Sequence, residues 1–382
     1  MQFVLAMALL LGASVAQAVE VPSTGLATRR LAEVIGGEEH VSVAPDGSAV
    51  AVVDHDKLVA RIVDANTGNV LESAHLGSVA AIALLSHGRG YWLGLTDGSV
   101  VHVPKAGDER SFVAIDGKLI DGLQCVAGNV AWSSSKADRG GVLDARNGAE
   151  RFAIACPFGG YRLPRLFLSR DARHAVHYAK DPARGGCRML VLRDAMTGKQ
   201  LGTANSYVSH RNRSHVFGLD SVFTVARKQS AWHLHRLDLV DWQNYVIDDD
   251  VRGKHFVDLF LSPSARYLLE GDFEDDGAVL YHLAEGGAHK SVLGKKSLPV
   301  GFLGAGKFGE ELALTTSDTS RLGLRAWSTK TGELFAALPC GKGKRITQAG
   351  SLLGGKAMWF QWWVAAKGTT IVRHLEVVVL GR

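Results

Sequence analysis

Proline and cysteine are scarce in this chain, which has nine prolines and four cysteines but 44 glycines among 382 residues. The cysteines form neither a Cys-x-x-Cys nor a Cys-x-x-Cys-His motif, which argues against common zinc, thioredoxin-type and c-type haem sites. Gly-x-Ser-x-Gly and His-Glu-x-x-His are also missing, so the familiar nucleophile-elbow and zinc-protease motifs are excluded. Many glycines with few prolines favour numerous tight turns between strands.

Long apolar runs are also lacking, and the chain opens on a short one at residues 3–11 (FVLAMALLL). A membrane-spanning helix needs about 20 apolar residues, so we expect no membrane anchor. The run is followed by Ala16-Gln17-Ala18, a small-x-small pattern typical of signal-peptide cleavage. No Lys or Arg precedes the run, which departs from the usual pattern. We predict a signal peptide at 1–18 and a periplasmic or secreted chain at 19–382; a buried strand or a helical tail is the alternative.

Basic residues are not concentrated in one part of the sequence. The formal net charge is +5, and the Lys and Arg residues are scattered along the chain. Nucleic-acid-binding proteins usually gather basic residues on one stripe. We therefore expect no nucleic-acid partner.

A turn phrase recurs after short apolar strands. It appears as Asp64-Ala-Asn-Thr-Gly68, Asp144-Ala-Arg-Asn-Gly148, Asp194-Ala-Met-Thr-Gly198 and Ser328-Thr-Lys-Thr-Gly332, with weaker copies ending at Gly107 and Gly286 and a copy without Gly ending at Trp242. Asp or Ser accepts backbone hydrogen bonds in such a turn, and Gly takes the positive φ that reverses the chain. The ends of these copies are 39, 41, 50, 44, 44 and 46 residues apart, which matches the period of four-stranded propeller blades.

A second phrase repeats out of phase with the first. Residues 43–49 align without gaps with residues 85–91, 168–174 and 261–267, and each copy has the pattern strand, polar turn, strand. The segments between these turns are rich in Val, Leu, Ile and aromatic residues, as strands are. A β-meander of this length has to protect its sheet edges, and a closed ring does so. The sequence therefore predicts an all-β fold, a single β-propeller of four-stranded antiparallel blades.

The strand and turn at residues 325–333 (RAWSTKTGE) are similar to the Val-x-Val-Trp-Asp-x-x-Thr-Gly phrase of WD-repeat propellers. Residues 71–79 (LESAHLGSV) resemble the segment that introduces the next blade in that family. The resemblance covers residues 21–382 and marks the chain as a divergent WD-repeat-like propeller, of the broad group that includes YVTN- and quinoprotein-like propellers. It implies the fold and says little about function.

Eight blades are the preferred count, with seven as the alternative. Seven turn phrases precede residue 340, and the remaining residues supply about three more strands. The missing outer strand can come from the N-terminus, where Ser23-Thr24-Gly25 resembles the end of the turn phrase. We therefore expect the N- and C-terminal strands to pair and to close the ring.

The working surface is predicted from the loops. With strands labelled a to d from the centre outward, the d–a and b–c connections lie on one rim, here the d–a/b–c rim, and vary in length and sequence. Variable loops on a rigid scaffold usually carry binding. Neighbouring basic and acidic loops on this rim would suit a charged protein partner. The residues predicted to bind it are Arg184, Arg188, Arg211, Arg213, Asp248, Asp249, Asp250, Asp272, Glu274 and Asp276; ordinary surface charge is the alternative.

Two weak metal candidates are present. Asp272, Glu274 and Asp276 resemble the first half of a calcium loop, although the position of the closing Glu holds Leu283. His233 and His235 would point to one face of a strand. Solvated acidic side chains and hydrogen-bonded strand histidines are the alternatives, and we predict no cofactor.

Cys156 and Cys187 would lie on the same rim, within reach of a disulfide, whereas Cys125 lies on an inner strand and is expected to be a buried thiol. Taken together, these patterns predict a monomeric, extracytoplasmic scaffold that binds a protein, without an evident enzyme activity. The alternative is an enzyme, or a propeller that binds a small ligand or a metal at the mouth of its central channel.

Overall fold

The computed structural model is built from β-strands. It describes residues 26–380 except for 36–39, 45–46, 55–58, 66, 75–78, 86–89, 106–108, 156–165, 181–187, 207–214, 219, 229–230, 250, 252–257, 272–276, 285–286, 295–296, 305–308, 318–322, 339–343, 353–356 and 366–370. Every element in this part of the chain is a strand, which confirms the predicted all-β class. No helix long and apolar enough to span a membrane occurs among these residues.

Seven antiparallel sheets each consist of four consecutive strands, and we call them blades 1 to 7 in chain order. Blade 1 contains β2 (His40–Val43), β3 (Ala49–Asp54), β4 (Val59–Asp64) and β5 (Val70–Ala74). Blade 2 contains β6 (Val79–Leu84), β7 (Gly90–Leu95), β8 (Ser99–Pro104) and β9 (Arg110–Val113). Blade 3 contains β10 (Gly122–Val126), β11 (Asn129–Ser134), β12 (Arg139–Asp144) and β13 (Glu150–Ala155).

The next four blades repeat this order. Blade 4 contains β14 (Leu166–Leu168), β15 (His174–Lys180), β16 (Arg188–Asp194) and β17 (Gln200–Ser206). Blade 5 contains β18 (His215–Phe217), β19 (Ser221–Lys228), β20 (Ala231–Asp238) and β21 (Asn244–Asp248). Blade 6 contains β22 (Asp258–Leu261), β23 (Tyr267–Gly271), β24 (Ala278–Ala284) and β25 (Gly287–Leu293). Blade 7 contains β26 (Ser297–Leu303), β27 (Leu312–Ser317), β28 (Leu324–Ser328) and β29 (Leu334–Leu338).

A further four-stranded sheet, here the terminal sheet, joins the two ends of the chain. It contains β1 (Leu26–Ile35), β30 (Lys344–Leu352), β31 (Ala357–Ala365) and β32 (Ile371–Leu380), in the order β1-β32-β31-β30. β1 runs antiparallel to β32 from Leu26↔Leu380 to Ile35↔Val372, with one irregularity between Arg30 and Ala32.

The first strand of each blade lies innermost. First strands of successive blades approach one another, as β2 approaches β6 and β22 approaches β26. Every residue of β6 and of β26 is buried, whereas most residues of the fourth strands β9 and β21 are exposed. The blades are therefore ordered a to d from the centre outward, as predicted.

The hydrophobic core is a series of contacts between blades. Six clusters of buried residues each combine side chains from two consecutive blades, from the pair 1 and 2 to the pair 6 and 7. In the first of them, Val53 and Ile62 of blade 1 pack with Ile82 and Leu93 of blade 2. Blades 2 to 6 each supply one wall of two such clusters, and blade 7 has a further cluster of its own residues that includes Leu312. The core is therefore built mainly between blades.

The predicted turn phrases form the connections between strands c and d. Gly68, Gly148, Gly198 and Gly332 have φ between +69° and +77° (77°, 70°, 69° and 72°), and each N–H donates to the carbonyl of the first residue of its phrase. Asp194 Oδ1 also accepts from the Thr197 N–H at 2.8 Å. The phrase therefore works as predicted, with Asp or Ser holding the turn and Gly supplying the positive φ.

At two of these glycines, a side chain of the preceding blade occupies the space that a Cβ would need. A Cβ at Gly148 of blade 3 would lie 2.0 Å from Cε1 of Phe112, on the outer strand of blade 2. A Cβ at Gly198 of blade 4 would lie 2.6 Å from Cγ of Phe152, on the outer strand of blade 3. An aromatic ring from one blade thus fills the space left by the turn glycine of the next.

Blade 5 makes the same contact with the large and the small residue exchanged between turn and strand. Its turn ends on Trp242, which holds φ at +63° without being glycine. The facing position on the outer strand of blade 4 is Gly202, where a Cβ would lie 3.1 Å from Trp242 Cε3. The indole also meets His174 edge-on, with ring centroids 6.2 Å apart. The bulky group has moved to the turn and the glycine to the strand.

Side chains also accept hydrogen bonds from backbone N–H groups at the edges of the inner strands. Ser42 Oγ on β2 accepts the N–H of Leu84 on β6 at 3.2 Å. Gln124 Oε1 on β10 accepts the N–H of Leu168 on β14 at 2.8 Å. In both cases an inner strand satisfies an edge N–H of the next blade, which would otherwise face the centre without a partner.

The a–b hairpins confirm the second phrase, with one change of register. The closing N–H···O pairs are Ala44 to Ala49, Leu85 to Gly90, Ser169 to His174 and Ser262 to Tyr267. The counterpart of Val43 in blade 2 is therefore Leu84, and the gapless alignment that began at Leu85 is wrong by one residue. The residues on both sides of that turn are equally compatible with a strand, so the sequence does not distinguish the two registers.

The exchange at Gly202 and Trp242 predicts compensation between two substitutions. Gly202→Phe alone should clash with the indole, and Trp242→Gly alone should leave a cavity, each lowering the free energy of unfolding by about 1–3 kcal/mol. The double variant rebuilds the arrangement of Phe152 and Gly198, so it should recover at least half of the summed loss. Chemical denaturation of the four proteins measures this coupling.

Leu201→Phe is the matched control, because this neighbouring side chain is 37% exposed and the added ring should change stability little. Losses in the double variant equal to the sum of the single losses would contradict the proposed contact.

Candidate functional site

The four kinds of connection between strands differ in how constant their lengths are. The c–d connections contain five residues in six of blades 1 to 7, as between Asp64 and Val70 or between Ser328 and Leu334. The d–a connections range from three residues between Leu293 and Ser297 to ten between Ala155 and Leu166. The b–c connections contain two to seven residues, and the a–b connections on the opposite rim contain two to eight. Length is therefore nearly constant in the c–d turns, and the two longest connections lie on the d–a/b–c rim.

Charged side chains of both signs are exposed on the described part of this rim. In blades 2 and 3 they are Asp97, Asp116, Lys118, Lys136 and Arg139. Asp97 Oδ1 also accepts the Ser99 N–H at 2.8 Å, which holds the b–c turn of blade 2. Such an arrangement can form charge-assisted contacts with a partner.

The structure describes three of the ten residues predicted to bind a partner. Arg188 begins β16, where it pairs with Lys180 and Ser206 along the backbone. Asp248 ends β21 and is 9% exposed, whereas Asp249 is exposed. The others lie outside the described residues, namely Arg184, Arg211, Arg213, Asp250, Asp272, Glu274 and Asp276. Binding of a partner by this set stays a prediction.

Asp248 takes part in a polar network between blades 5 and 6. Its Oδ2 accepts the hydroxyl of Tyr281 at 2.8 Å and pairs with Lys290 Nζ at 2.9 Å. Tyr281 also lies 3.2 Å from Glu270 Oε2. Glu270 and Tyr281 are each 1% exposed. The network lies toward the d–a/b–c rim, since Asp248 and Glu270 are at the ends of β21 and β23 that lead into that rim.

The single hydroxyl hydrogen of Tyr281 is shared between two carboxylate oxygens. Burial, followed by the nearby charges of Glu270 and Asp248 and its hydrogen bonds to them, raises the pKa of Tyr281 far above its usual value. The phenol therefore stays protonated and acts as a donor that holds blade 6 to the last residue of blade 5. The sequence analysis missed this role, because Tyr281 and Asp248 are 33 residues apart and no local motif joins them.

His233 and His235 lie as predicted on one strand, β20, with ring centroids 6.0 Å apart. Within the described ranges, no group of three or more His, Cys, Asp or Glu side chains has the arrangement of a metal site. The calcium candidate Asp272, Glu274 and Asp276 lies outside the described residues. Binding of a metal by these residues or by the two histidines stays a prediction.

A different histidine, His177, is buried within blade 4. His177 is 3% exposed; its Nε2 accepts from Arg193 Nε at 3.0 Å, and its Nδ1 lies 3.2 Å from the Tyr178 carbonyl. Burial, together with the Arg193 charge, lowers the pKa of His177 to about 4. The imidazole is therefore neutral near pH 7, with Nδ1 carrying the hydrogen, and its Nε2 helps to orient Arg193.

Cys125 is a free thiol on β10, and burial raises its pKa to about 12. It is therefore protonated at neutral pH, but the residue is half-buried and not fully buried as expected. Cys156 and Cys187 lie outside the described residues, so their disulfide stays a prediction.

Comparison with solved structures gives the fold. BamB from Moraxella catarrhalis superposes with a TM-score of 0.59 at 12% identity, over 91% of this chain and 99% of that one. The Dos1 propeller superposes with a TM-score of 0.60 at 12% identity, over 91% and 94%. The C-terminal WD40 domain of Sif2 does so with 0.60 at 10% identity, over 93% and 99%.

The chain has the β-propeller fold, and its turn phrases are similar to those of WD-repeat propellers. No protein-family model and no curated sequence matches it. At 10–12% identity these likenesses show how the propeller is folded and leave its ligand to be argued from its own residues.

The network around Tyr281 predicts the effect of removing one hydroxyl. Tyr281→Phe leaves two buried carboxylates without their shared donor, so the free energy of unfolding should fall by about 1–3 kcal/mol. Urea denaturation at pH 7 measures the change.

Tyr267→Phe is the matched control on the same blade. The Tyr267 ring stacks on His282 with centroids 5.0 Å apart, and its hydroxyl makes no hydrogen bond with the part of the chain that the structure describes. A loss as large for Tyr267→Phe as for Tyr281→Phe would show that the network contributes nothing specific.

Proposed function

We propose that this propeller is an extracytoplasmic scaffold that binds a protein partner through its d–a/b–c rim. The observation that carries the proposal is the length of the d–a connections. The c–d turns contain five residues in six of blades 1 to 7 and the a–b connections contain two to eight, whereas the d–a connections contain three to ten and include the two longest between strands. A rigid ring with long connections on one rim provides a binding surface whose shape can change without altering the core.

The charges on the d–a/b–c rim support a protein as partner. Exposed Asp97, Asp116, Lys118 and Lys136 place both signs on blades 2 and 3. A polar surface of mixed sign favours a partner with the complementary pattern and raises the rate of encounter more than the final affinity. A highly basic surface, which nucleic acid would require, is not seen on these described blades.

The location rests on the sequence of the N-terminus. The apolar residues 3–11 and the following Ala16-Gln17-Ala18 have the spacing of a signal peptide. Cleavage after Ala18 would release residues 19–382 into the periplasm or the medium, where a propeller rim can meet envelope or secreted proteins.

Closure of the ring by an eighth blade is part of the proposal. The terminal sheet already pairs β1 with β32. Its strand β30 lies against β26 of blade 7, and β1 approaches β4 of blade 1. These approaches support the terminal sheet as the blade that joins blade 7 to blade 1 and hides both sheet edges.

Photo-cross-linking tests the choice of rim. A photoreactive p-benzoylphenylalanine placed at Lys118 or at Lys136 should give one defined adduct of higher mass in native cells. The same residue at Arg146 or at Lys330, both exposed in c–d turns of the opposite rim, should give none. Denaturing gels and mass spectrometry of the adduct provide the readout.

Equal adducts from both rims, or adducts from Arg146 and Lys330 alone, would contradict the assignment of the d–a/b–c rim. Circular dichroism of each purified variant checks that the substitution leaves the propeller folded.

A further inference from the structure

Arg325 is a buried cation between blades 6 and 7. It is the second residue of β28, just after the b–c connection, and it is 8% exposed. Along the sheet it pairs with Thr315 and Ala337. Gly294, at the end of the outer strand of blade 6, is so close that a Cβ there would lie 3.1 Å from Arg325 Nη1. The guanidinium therefore lies at the d–a/b–c end of this seam.

The guanidinium has little to bind in this position. Nη1 donates to Ser297 Oγ at 3.1 Å, and this is its one hydrogen bond with the described residues. No carboxylate in the described ranges forms an ion pair with it. A guanidinium carries five N–H donors, so most of its capacity is unused.

Other arginines of the propeller have better acceptors. Arg151 pairs with the Asp144 carboxylate at 2.8 Å, with its side chain 18% exposed. Arg193 donates to His177 and to the Gly198 carbonyl at 3.0 and 2.8 Å. Arg325 is more buried than Arg151 and has a single neutral partner. A largely buried charge is stabilised by an ionised acceptor, and Arg325 has donors left to bind one.

The surroundings of Arg325 suit an oxyanion. No Arg325 nitrogen is both sealed from solvent and without a partner, so the donors that Ser297 does not engage still face solvent. The hydroxyl-bearing residues Ser297 and Thr315 lie nearby on the same blade and are fully buried. Thr315 Oγ1 accepts from Trp327 Nε1 at 2.8 Å, and this contact fixes the indole as an apolar wall beside the guanidinium.

We propose that Arg325 binds an oxyanion, a carboxylate or a phosphate group, at the d–a/b–c end of the seam between blades 6 and 7. The planar guanidinium can engage such a group through two parallel N–H···O bonds. The low exposure of the site strengthens that contact compared with one on the open surface. The inference does not depend on a protein partner, because a free anion or an anionic group of a larger ligand would satisfy the same donors.

Thermal unfolding of the purified mature protein tests the proposal. The probes are sodium acetate and inorganic phosphate, each compared with sodium chloride at the same ionic strength. A ligand that binds only the folded state raises its stability, so at least one probe should raise Tm in a saturable way by about 2 °C. Acetate and phosphate arms distinguish a carboxylate site from a phosphate site.

Substitution of Arg325 provides the decisive comparison. Arg325→Met should abolish the anion response and, in sodium chloride, should be at least as stable as the native protein, because an uncompensated charge is removed. Arg325→Lys keeps the charge but not the fork of donors, so its response should be weaker. Arg151→Met, the control, should lose stability and keep the full anion response.

Three results would overturn the inference. One is an equal anion response in the native protein and in Arg325→Met. Another is no response in the native protein to either probe. The last is a response that appears only after Asp272→Asn, Glu274→Gln and Asp276→Asn are combined, since the acidic b–c connection of blade 6 would then be the native partner of Arg325. None of these results affects the proposed protein-binding rim, which photo-cross-linking tests separately.

Discussion

The contact on which the structure depends is the seam between successive blades. Each described blade shares its buried side chains with its neighbours, so a sheet outside the ring would expose one or both faces. At the outer end of two seams an aromatic ring fills the space beside a turn glycine, as Phe152 does at Gly198. The glycine therefore meets two structural requirements, because it allows a positive φ and leaves space for the aromatic ring. At Trp242 these requirements are separated: the turn keeps its φ with a non-glycine residue and Gly202 provides the room.

Much of this architecture could be predicted, because its signals are local. The Asp-x-x-Thr-Gly phrase determines its own turn through bonds between residues three or four apart, such as Thr197 to Asp194. Repetition of such a phrase every 39 to 50 residues then gives the blade period. The one error of register, at Leu84, arose where the sequence on both sides of a turn was equally compatible with a strand. Hydrogen bonding of Leu85 to Gly90 settled it.

The contacts that distinguish one blade from another could not be predicted in this way. Tyr281 meets Asp248 across 33 residues, and Arg325 meets Ser297 across 28. Such pairs become neighbours only once the strand register is fixed, and a single Tyr or Arg in a strand has no pattern that announces its partner. The absence of Gly at the end of one phrase, at Trp242, was a visible signal, but its compensation at Gly202 required the facing blade.

The seams position the d–a/b–c rim rigidly only if the ring has no open end, so closure between β1 and β32 is the central claim. Cysteines introduced at Thr28 and Val378, which are paired in register, test it directly. Mild oxidation of the purified monomer should join the two peptides by a disulfide that mass spectrometry identifies, while a pair at Thr28 and Val379, one step out of register, should form far less. No intramolecular link at Thr28 and Val378, or equal yields from both pairs, would contradict the closed ring.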